Sequence, residues 1–103
     1  THSAWVMLFD GANGSLKAVL EGSSITAKRT AAVSALATEL LSNQRFDVLA
    51  ILGCGVQARS HLEIHQKKFG FRKIHLWNHR RAMADALKNE LENLPNASEL
   101  YSD

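Results

Sequence analysis

Residues 47–58 read DVLAILGCGVQA, and this stretch decides the fold of the chain. Its apolar residues 48–52 are consecutive and do not alternate with polar ones. Such a run is typical of a strand covered on both faces, as in a parallel sheet. The abrupt Gly53 after it favours a short strand over a buried helix.

Gly53, Gly55 and Ala58 fit the spacing G-x-G-x-x-G/A. In a dinucleotide-binding turn the first glycine permits a tight exit from the strand, and the second lets a pyrophosphate approach the backbone. A small third residue lets the following helix pack close to the sheet. The free N–H groups at the start of that helix attract the anion. The turn therefore predicts a nucleotide-binding site, with a purely structural turn as the alternative.

The residues after the turn continue the pattern of a Rossmann-type domain. The sequence predicts a helix over 56–69 that ends at Gly70, a strand over 73–77, and a further helix that ends before Pro95. The apolar face of this last helix is marked by Ala84, Leu87, Leu91 and Leu94. Residues 47–103 thus form the β-α-β-α first half of such a domain, and we expect further strands beyond Asp103.

Residues 1–46 predict a β-hairpin followed by a helix. The apolar runs 5–9 and 16–21 flank a cluster of Asn and Gly that suits a hairpin turn. Residues 25–41 are rich in Ala and Leu without Gly or Pro, which predicts a helix with Ser23 or Ser24 as N-cap. Ile25, Ala32, Leu36 and Leu40 fall near one face of it, with Val33 beside them. The fold class is α/β.

The end of the second strand indicates which dinucleotide binds. An NAD site usually places a carboxylate there for the ribose 2′-hydroxyl, but residues 74–83 contain no acid. Asn78, His79, Arg80 and Arg81 occupy that place instead. Guanidinium groups suit a 2′-phosphate, so the sequence favours NADP(H) over NAD(H).

Composition limits the remaining function classes. A chain of 103 residues with 46% apolar residues is at most one ordinary globular domain. A net charge of +2 is too weak to indicate nucleic-acid binding, and no apolar run is long enough for a membrane helix. One cysteine, Cys54, cannot form an internal disulfide. Because the chain starts at Thr1 rather than Met, we expect a piece of a longer protein.

The segments ITAKRTAAVSA (25–35), VLAILGCGVQA (48–58) and Trp77-Asn78 together resemble the ornithine cyclodeaminase/mu-crystallin family. The resemblance is nearest to the branch that reduces cyclic ketimines to cyclic amino acids with NADPH and also binds thyroid hormone. It implies a cytoplasmic homodimer acting on a small cyclic imine carboxylate. It also assigns residues 1–46 to the substrate and dimerisation part and 47–103 to a partial NADP-binding domain.

The resemblance further implies roles for individual residues. Arg29 is similar to the arginine that grips the substrate carboxylate beside the nicotinamide, and it also counts among the cofactor contacts. The other implied cofactor contacts are Thr1, His2, Thr30, Gly53, Cys54, Gly55, Val56, Gln57, Asn78, His79 and Arg80. The substrate lysine of the family lies before Thr1 and its catalytic aspartate beyond Asp103, so no catalytic residue is assigned to this chain.

Two alternative functions stay open at this point. One is a non-catalytic protein that binds NADPH and thyroid hormone, and the other is an NAD-dependent ornithine cyclodeaminase or alanine dehydrogenase. A metal site is not expected, since His61 and His65 share a helix face without a third ligand. Packing between helices, or exposure to solvent, explains that pair better.

Overall fold

The computed structural model describes residues 3–92 and 100–102. The described elements are five strands and three helices: β1 (Trp5–Phe9), β2 (Leu16–Glu21), α1 (Ser23–Leu41), β3 (Val48–Leu52), α2 (Val56–Phe69), β4 (Lys73–Trp77), α3 (Arg81–Leu91) and β5 (Leu100–Ser102).

The predicted hairpin is confirmed. Strands β1 and β2 pair antiparallel, with Trp5 opposite Glu21. The turn between them is closed by two backbone bonds, from Asp10 N–H to the Ser15 carbonyl at 2.7 Å and from Gly14 N–H to the Asp10 carbonyl at 2.8 Å. Gly14 has φ +74°, a conformation that side chains with a Cβ rarely adopt. The Asn-Gly cluster thus serves the turn as the sequence predicted.

Helix α1 begins earlier than predicted, and the proposed serine caps were wrong. The N-cap is Gly22, without a side-chain hydrogen bond, and Ser23 already lies in the helix, where its hydroxyl bonds to Glu21. Gly22 is required by a close approach, because its N–H donates to the Ala4 carbonyl at 2.7 Å. A Cβ at Gly22 would lie 2.9 Å from that same oxygen. Steric fit at the end of the hairpin therefore overrides the capping preference of serine.

Helix α1 turns a face of small residues to the rest of the chain. Ala27, Ala31 and Ala35 are buried, and α1 packs against α2. The larger apolar side chains that share the other face, Leu36 and Leu40 among them, are 53% and 71% exposed. Alanine at every fourth position lets two helices approach closely, which longer side chains would prevent.

The second part of the chain is a parallel sheet with strand order β3-β4-β5. Strands β3 and β4 pair in register from Val48 opposite Lys73 to Leu52 opposite Trp77. This confirms the predicted Rossmann-type half, and α2 ends at Gly70 as predicted. Sequence analysis assigned no element near residue 100, but β5 forms the third strand there, parallel to β4.

The core lies between this sheet and the two helices that follow its strands. Leu62, Ile74, Leu76 and Leu91 are fully buried in it. Ala84 and Leu87 join them as predicted, while Leu94 and Pro95 lie outside the described residues. Strand β3 was expected to be covered on both faces, yet Val48 is 52% and Leu52 77% exposed. Only the face that carries Leu49 and Ile51 packs against the core.

Within residues 3–92 and 100–102, no helix combines the length and the hydropathy needed to cross a bilayer.

Substitution of Gly70 tests whether the left-handed conformation of this residue ends α2. Its φ is +65° and no heavy atom lies within 4 Å of an added Cβ, so Gly70→Ala introduces backbone strain without a clash. We expect this substitution to lower the free energy of unfolding by about 1 kcal/mol, the cost of a left-handed residue with a side chain. Gly11→Ala is the matched control, because that position is equally open and has no positive φ. Equal midpoints for the two variants in urea unfolding would contradict the assignment.

Candidate nucleotide-binding site

The chain leaves β3 through a backbone conformation that requires glycine. Gly53 has φ +99°, and its N–H donates to the Trp77 carbonyl at 2.7 Å. This bond extends the contact between β3 and β4 past the last strand residues. This bond fixes the start of the turn next to the end of β4, which agrees with the tight exit from the strand expected for the first glycine of the motif.

The turn then opens into a cradle at the start of α2. A Cβ added to Gly53 or to Gly55 would meet no heavy atom within 4 Å. Helix α2 has no side-chain cap and no acidic residue in its first turn, so its positive end is available to an anion. Ala58 is buried beneath the turn, as expected for the third motif position. These features fit the pyrophosphate of a dinucleotide.

Asn78 joins the glycine turn to the segment that follows β4. Its Oδ1 accepts from the Cys54 N–H at 3.2 Å, and its Nδ2 donates to the Arg80 carbonyl at 3.0 Å. The residue is buried, so both bonds are made away from water. The amide of Asn78 therefore connects two loops, and its expected direct contact with the cofactor stays a prediction.

The basic residues expected at a 2′-phosphate lie at the start of α3. His79 and Arg80 are exposed, and Arg80 is the N-cap of α3 with no side-chain bond to the helix. The first turn of α3 contains no acid. Because Leu52 and Trp77 are paired, the loops after β3 and β4 leave the same edge of the sheet. The structure thus brings Arg80 and the glycine cradle to the same end of the domain.

Cys54 lies inside the turn rather than on its surface. The thiol is buried 3.6 Å from the Trp77 carbonyl, and burial raises the pKa of this thiol above its usual range. The backbone N–H of Cys54 is occupied by Asn78. Val56 and Gln57, by contrast, are exposed in the first turn of α2. Direct cofactor contacts of these three residues stay predictions.

Helix α1 lies beside α2 and runs in the same direction. The Ser34 hydroxyl is 2.9 Å from His61 Nε2, and the Thr38 hydroxyl is 3.3 Å from His65 Nε2. Both pairs are separated by 27 positions in the sequence. One turn earlier, the same separation sets Thr30 opposite the first turn of α2.

Extension of this register by one helical turn predicts that Arg29 and Thr30 lie near the end of α2 that follows the glycine turn. Thr30 is half-buried and Arg29, its neighbour, is exposed. Thr1 and His2, the other two predicted contacts from the first part of the chain, lie outside the described residues.

A groove of about 610 Å³ runs along β3 and α2 from the glycine turn. Gly53, Gly55, Gln57, His61 and His65 contribute to its walls. The two histidines are bound to hydroxyls of α1, in agreement with the packing role expected for them. Sequence analysis missed this link, although Ser34 and Thr38 share the spacing of four that separates the histidines.

A sequence model of the ornithine cyclodeaminase/mu-crystallin family matches residues 1–98. The chain belongs to this family. It is 52% identical over 92 residues to mouse (Mus musculus) ketimine reductase mu-crystallin. That alignment covers 89% of the chain but only 29% of the mouse protein.

Solved structures of family relatives share the fold described above. The Thermococcus litoralis delta(1)-pyrroline-2-carboxylate reductase, solved with NADH and L-proline, superposes with a TM-score of 0.89 at 28% identity and covers 98% of this chain and 31% of its own. The iminosuccinate reductase of Paracoccus denitrificans, solved with NAD⁺, gives 0.80 at 27% identity, with 99% and 31% covered. The chain therefore spans about 30% of each of these relatives.

Gly55→Ala tests the cradle. Gly55 has φ −89°, which any residue adopts, and its surroundings are open, so the protein should keep its melting temperature. The added methyl group occupies the space where a phosphate would approach the backbone. We expect the affinity for a nicotinamide dinucleotide to fall about tenfold or more. Isothermal titration calorimetry on the complete protein measures this, and an unchanged dissociation constant would place the phosphates elsewhere.

Proposed function

We propose that the protein is an NADPH-dependent reductase that converts the C=N bond of a cyclic imine carboxylate to a cyclic amine. The observation that carries the proposal is the junction of an open glycine cradle with a basic, acid-free segment. Asn78 holds the two together. The names of the relatives support the reaction class, because ketimine, pyrroline-2-carboxylate and iminosuccinate reductases all act on C=N bonds.

The described residues divide the work of holding the cofactor. The N–H groups at the start of α2 would bind the pyrophosphate, with Gly53 and Gly55 leaving room for it. When bound, NADPH supplies the hydride that reduces the imine carbon. The side chain of Arg80 would donate two hydrogen bonds to the 2′-phosphate.

The preference for NADP(H) is a proposal about this chain and not about its relatives. Two of the similar structures contain NADH or NAD⁺, so relatives with this fold bind the dinucleotide that lacks a 2′-phosphate. In this chain the segment after β4 contains cations and no carboxylate. An anion at the N-terminus of α3 would offset the unfavourable approach of Arg80 and Arg81 to the positive end of the helix. An NAD-dependent enzyme is the second candidate.

Arg29 is the proposed partner of the substrate carboxylate. Its exposed guanidinium, on the part of α1 that lies beside the start of α2, can form a bidentate pair with a carboxylate. The substrate would then lie between α1 and the nicotinamide end of the cofactor.

A second copy of the chain is the proposed partner of the apolar outer surface. Trp5, Met7, Phe9 and Val19 of the hairpin are each at least half exposed, and so are Val33 and Leu36 of α1. An exposed apolar surface of this extent is typical of a protein interface. Thyroid-hormone binding and a cytoplasmic location stay predictions.

Substitution of Arg80 tests the choice of dinucleotide. Arg80→Ala removes charge-assisted hydrogen bonds to the 2′-phosphate, so the dissociation constant of NADPH should rise roughly tenfold to a hundredfold. The constant for NADH should not change, because NADH lacks that phosphate. Arg45→Ala, which removes an exposed cation from the loop before β3, is the matched control. Equal losses for both dinucleotides would favour the NAD-dependent candidate.

Substitution of Arg29 tests the substrate site and the reaction itself. The complete protein should oxidise NADPH when a cyclic ketimine carboxylate is added. In Arg29→Leu we expect kcat/KM for the imine to fall about a hundredfold, the effect of losing a charged pair, with a far smaller effect on NADPH affinity. Lys28→Leu, the neighbouring exposed cation, is the control. Absence of imine-dependent NADPH oxidation in the unmodified protein would refute the proposed function.

A further inference from the structure

The contact between α1 and α2 joins the proposed substrate helix to the proposed cofactor helix. Ala27, Ala31 and Ala35 are buried in this contact, and the hydrogen bonds between the two helices are partly shielded from water. Shielded polar groups destabilise a fold unless they find hydrogen-bond partners. The partners found here come in pairs across the contact, one hydroxyl of α1 with one imidazole of α2.

The backbone of α2 fixes which nitrogen of each ring carries the proton. His61 Nδ1 is 2.7 Å from the Gln57 carbonyl, and His65 Nδ1 is 2.8 Å from the His61 carbonyl. A carbonyl oxygen only accepts, so each Nδ1 carries a hydrogen and donates it. In a neutral ring Nε2 is then an acceptor. The Ser34 hydroxyl at 2.9 Å donates to His61 Nε2.

The second pair is the weaker one. The Thr38 hydroxyl is 2.9 Å from the Ser34 carbonyl and 3.3 Å from His65 Nε2. One hydroxyl proton serves one of these two acceptors at a time, and the shorter distance favours the carbonyl. Ser34 and His61 therefore form the principal link between the helices, and the ion pair of Glu39 with Lys68 at 3.2 Å supports it near the other end.

This link is one helical turn from the proposed site. Thr30 precedes Ser34 by four residues, and Gln57 precedes His61 by four, so the register that pairs Ser34 with His61 also aligns Thr30 with the start of α2. A slip of α1 along α2 would carry Arg29 away from the nicotinamide end while leaving the glycine turn intact.

We infer that Ser34 and His61 are positioning residues, whose hydrogen bond holds α1 at a fixed height along α2 and so sets the place of Arg29 relative to the bound dinucleotide. The inference rests on the proposed function. It differs from a general packing role because it predicts far more damage to the reduction step than to cofactor binding.

The test compares two substitutions of His61 in the complete protein. His61→Leu removes the acceptor, and we expect kcat/KM for the cyclic imine to fall about tenfold, the effect of losing one partly buried hydrogen bond. His61→Gln places an amide oxygen where Nε2 lies and should restore most of the activity. The dissociation constant of NADPH should change far less than kcat/KM in both variants.

Ser34→Ala serves as the second variant if His61→Leu does not fold, with the same expected loss. Ser60→Ala, which removes a hydroxyl from α2 itself, is the matched control and should retain full activity. In parallel, ¹⁵N NMR of the neutral imidazole should show the ring proton of His61 on Nδ1.

Separate results contradict the two claims. An unmodified protein that reduces no imine would refute the proposed function. The positioning role would be overturned by an active protein in which His61→Leu or Ser34→Ala is unimpaired, or in which His61→Gln is as impaired as His61→Leu. It would also be overturned if NADPH affinity fell as much as kcat/KM. A neutral His61 protonated at Nε2 would overturn it as well.

Discussion

The pairing of β3 with β4 beyond their last residues is the constraint on which the rest of the site depends. Gly53 N–H bonds to the Trp77 carbonyl, and Asn78 then bonds to Cys54 N–H, so two loops that follow separate strands are tied together. Gly53 can make this connection because it adopts φ +99°. Both loops therefore start side by side at the carboxyl end of the parallel strands.

The two loops lead into helix starts that can each attract a negatively charged group. Helices α2 and α3 both start without a side-chain cap and without an acid in the first turn. The start of α2 offers backbone N–H groups in an open space, and the start of α3 offers exposed cationic side chains. A ligand with one anionic group in the middle and another on a ribose matches this arrangement better than a ligand with a single charge.

Sequence reasoning performed best where one local preference dominates. The turn after β3, the end of α2 at Gly70 and the hairpin each depend on glycine or on an unbroken apolar run, and all were confirmed. It failed at the start of α1, where contact of Gly22 with Ala4 overrides the preference of serine for capping. The task of Asn78 and the link between Ser34 and His61 could not be predicted, because both depend on residues 24 or more positions apart.

The burial of Cys54 lowers the reactivity of its thiol towards oxidants. The thiolate is the form of cysteine that reacts with peroxides and alkylating agents, and a raised pKa leaves little thiolate at neutral pH. We therefore expect Cys54 to react slowly with such reagents as long as its thiol stays buried. The rate at which Cys54 reacts with a thiol reagent would therefore measure how often local unfolding exposes this turn to solvent.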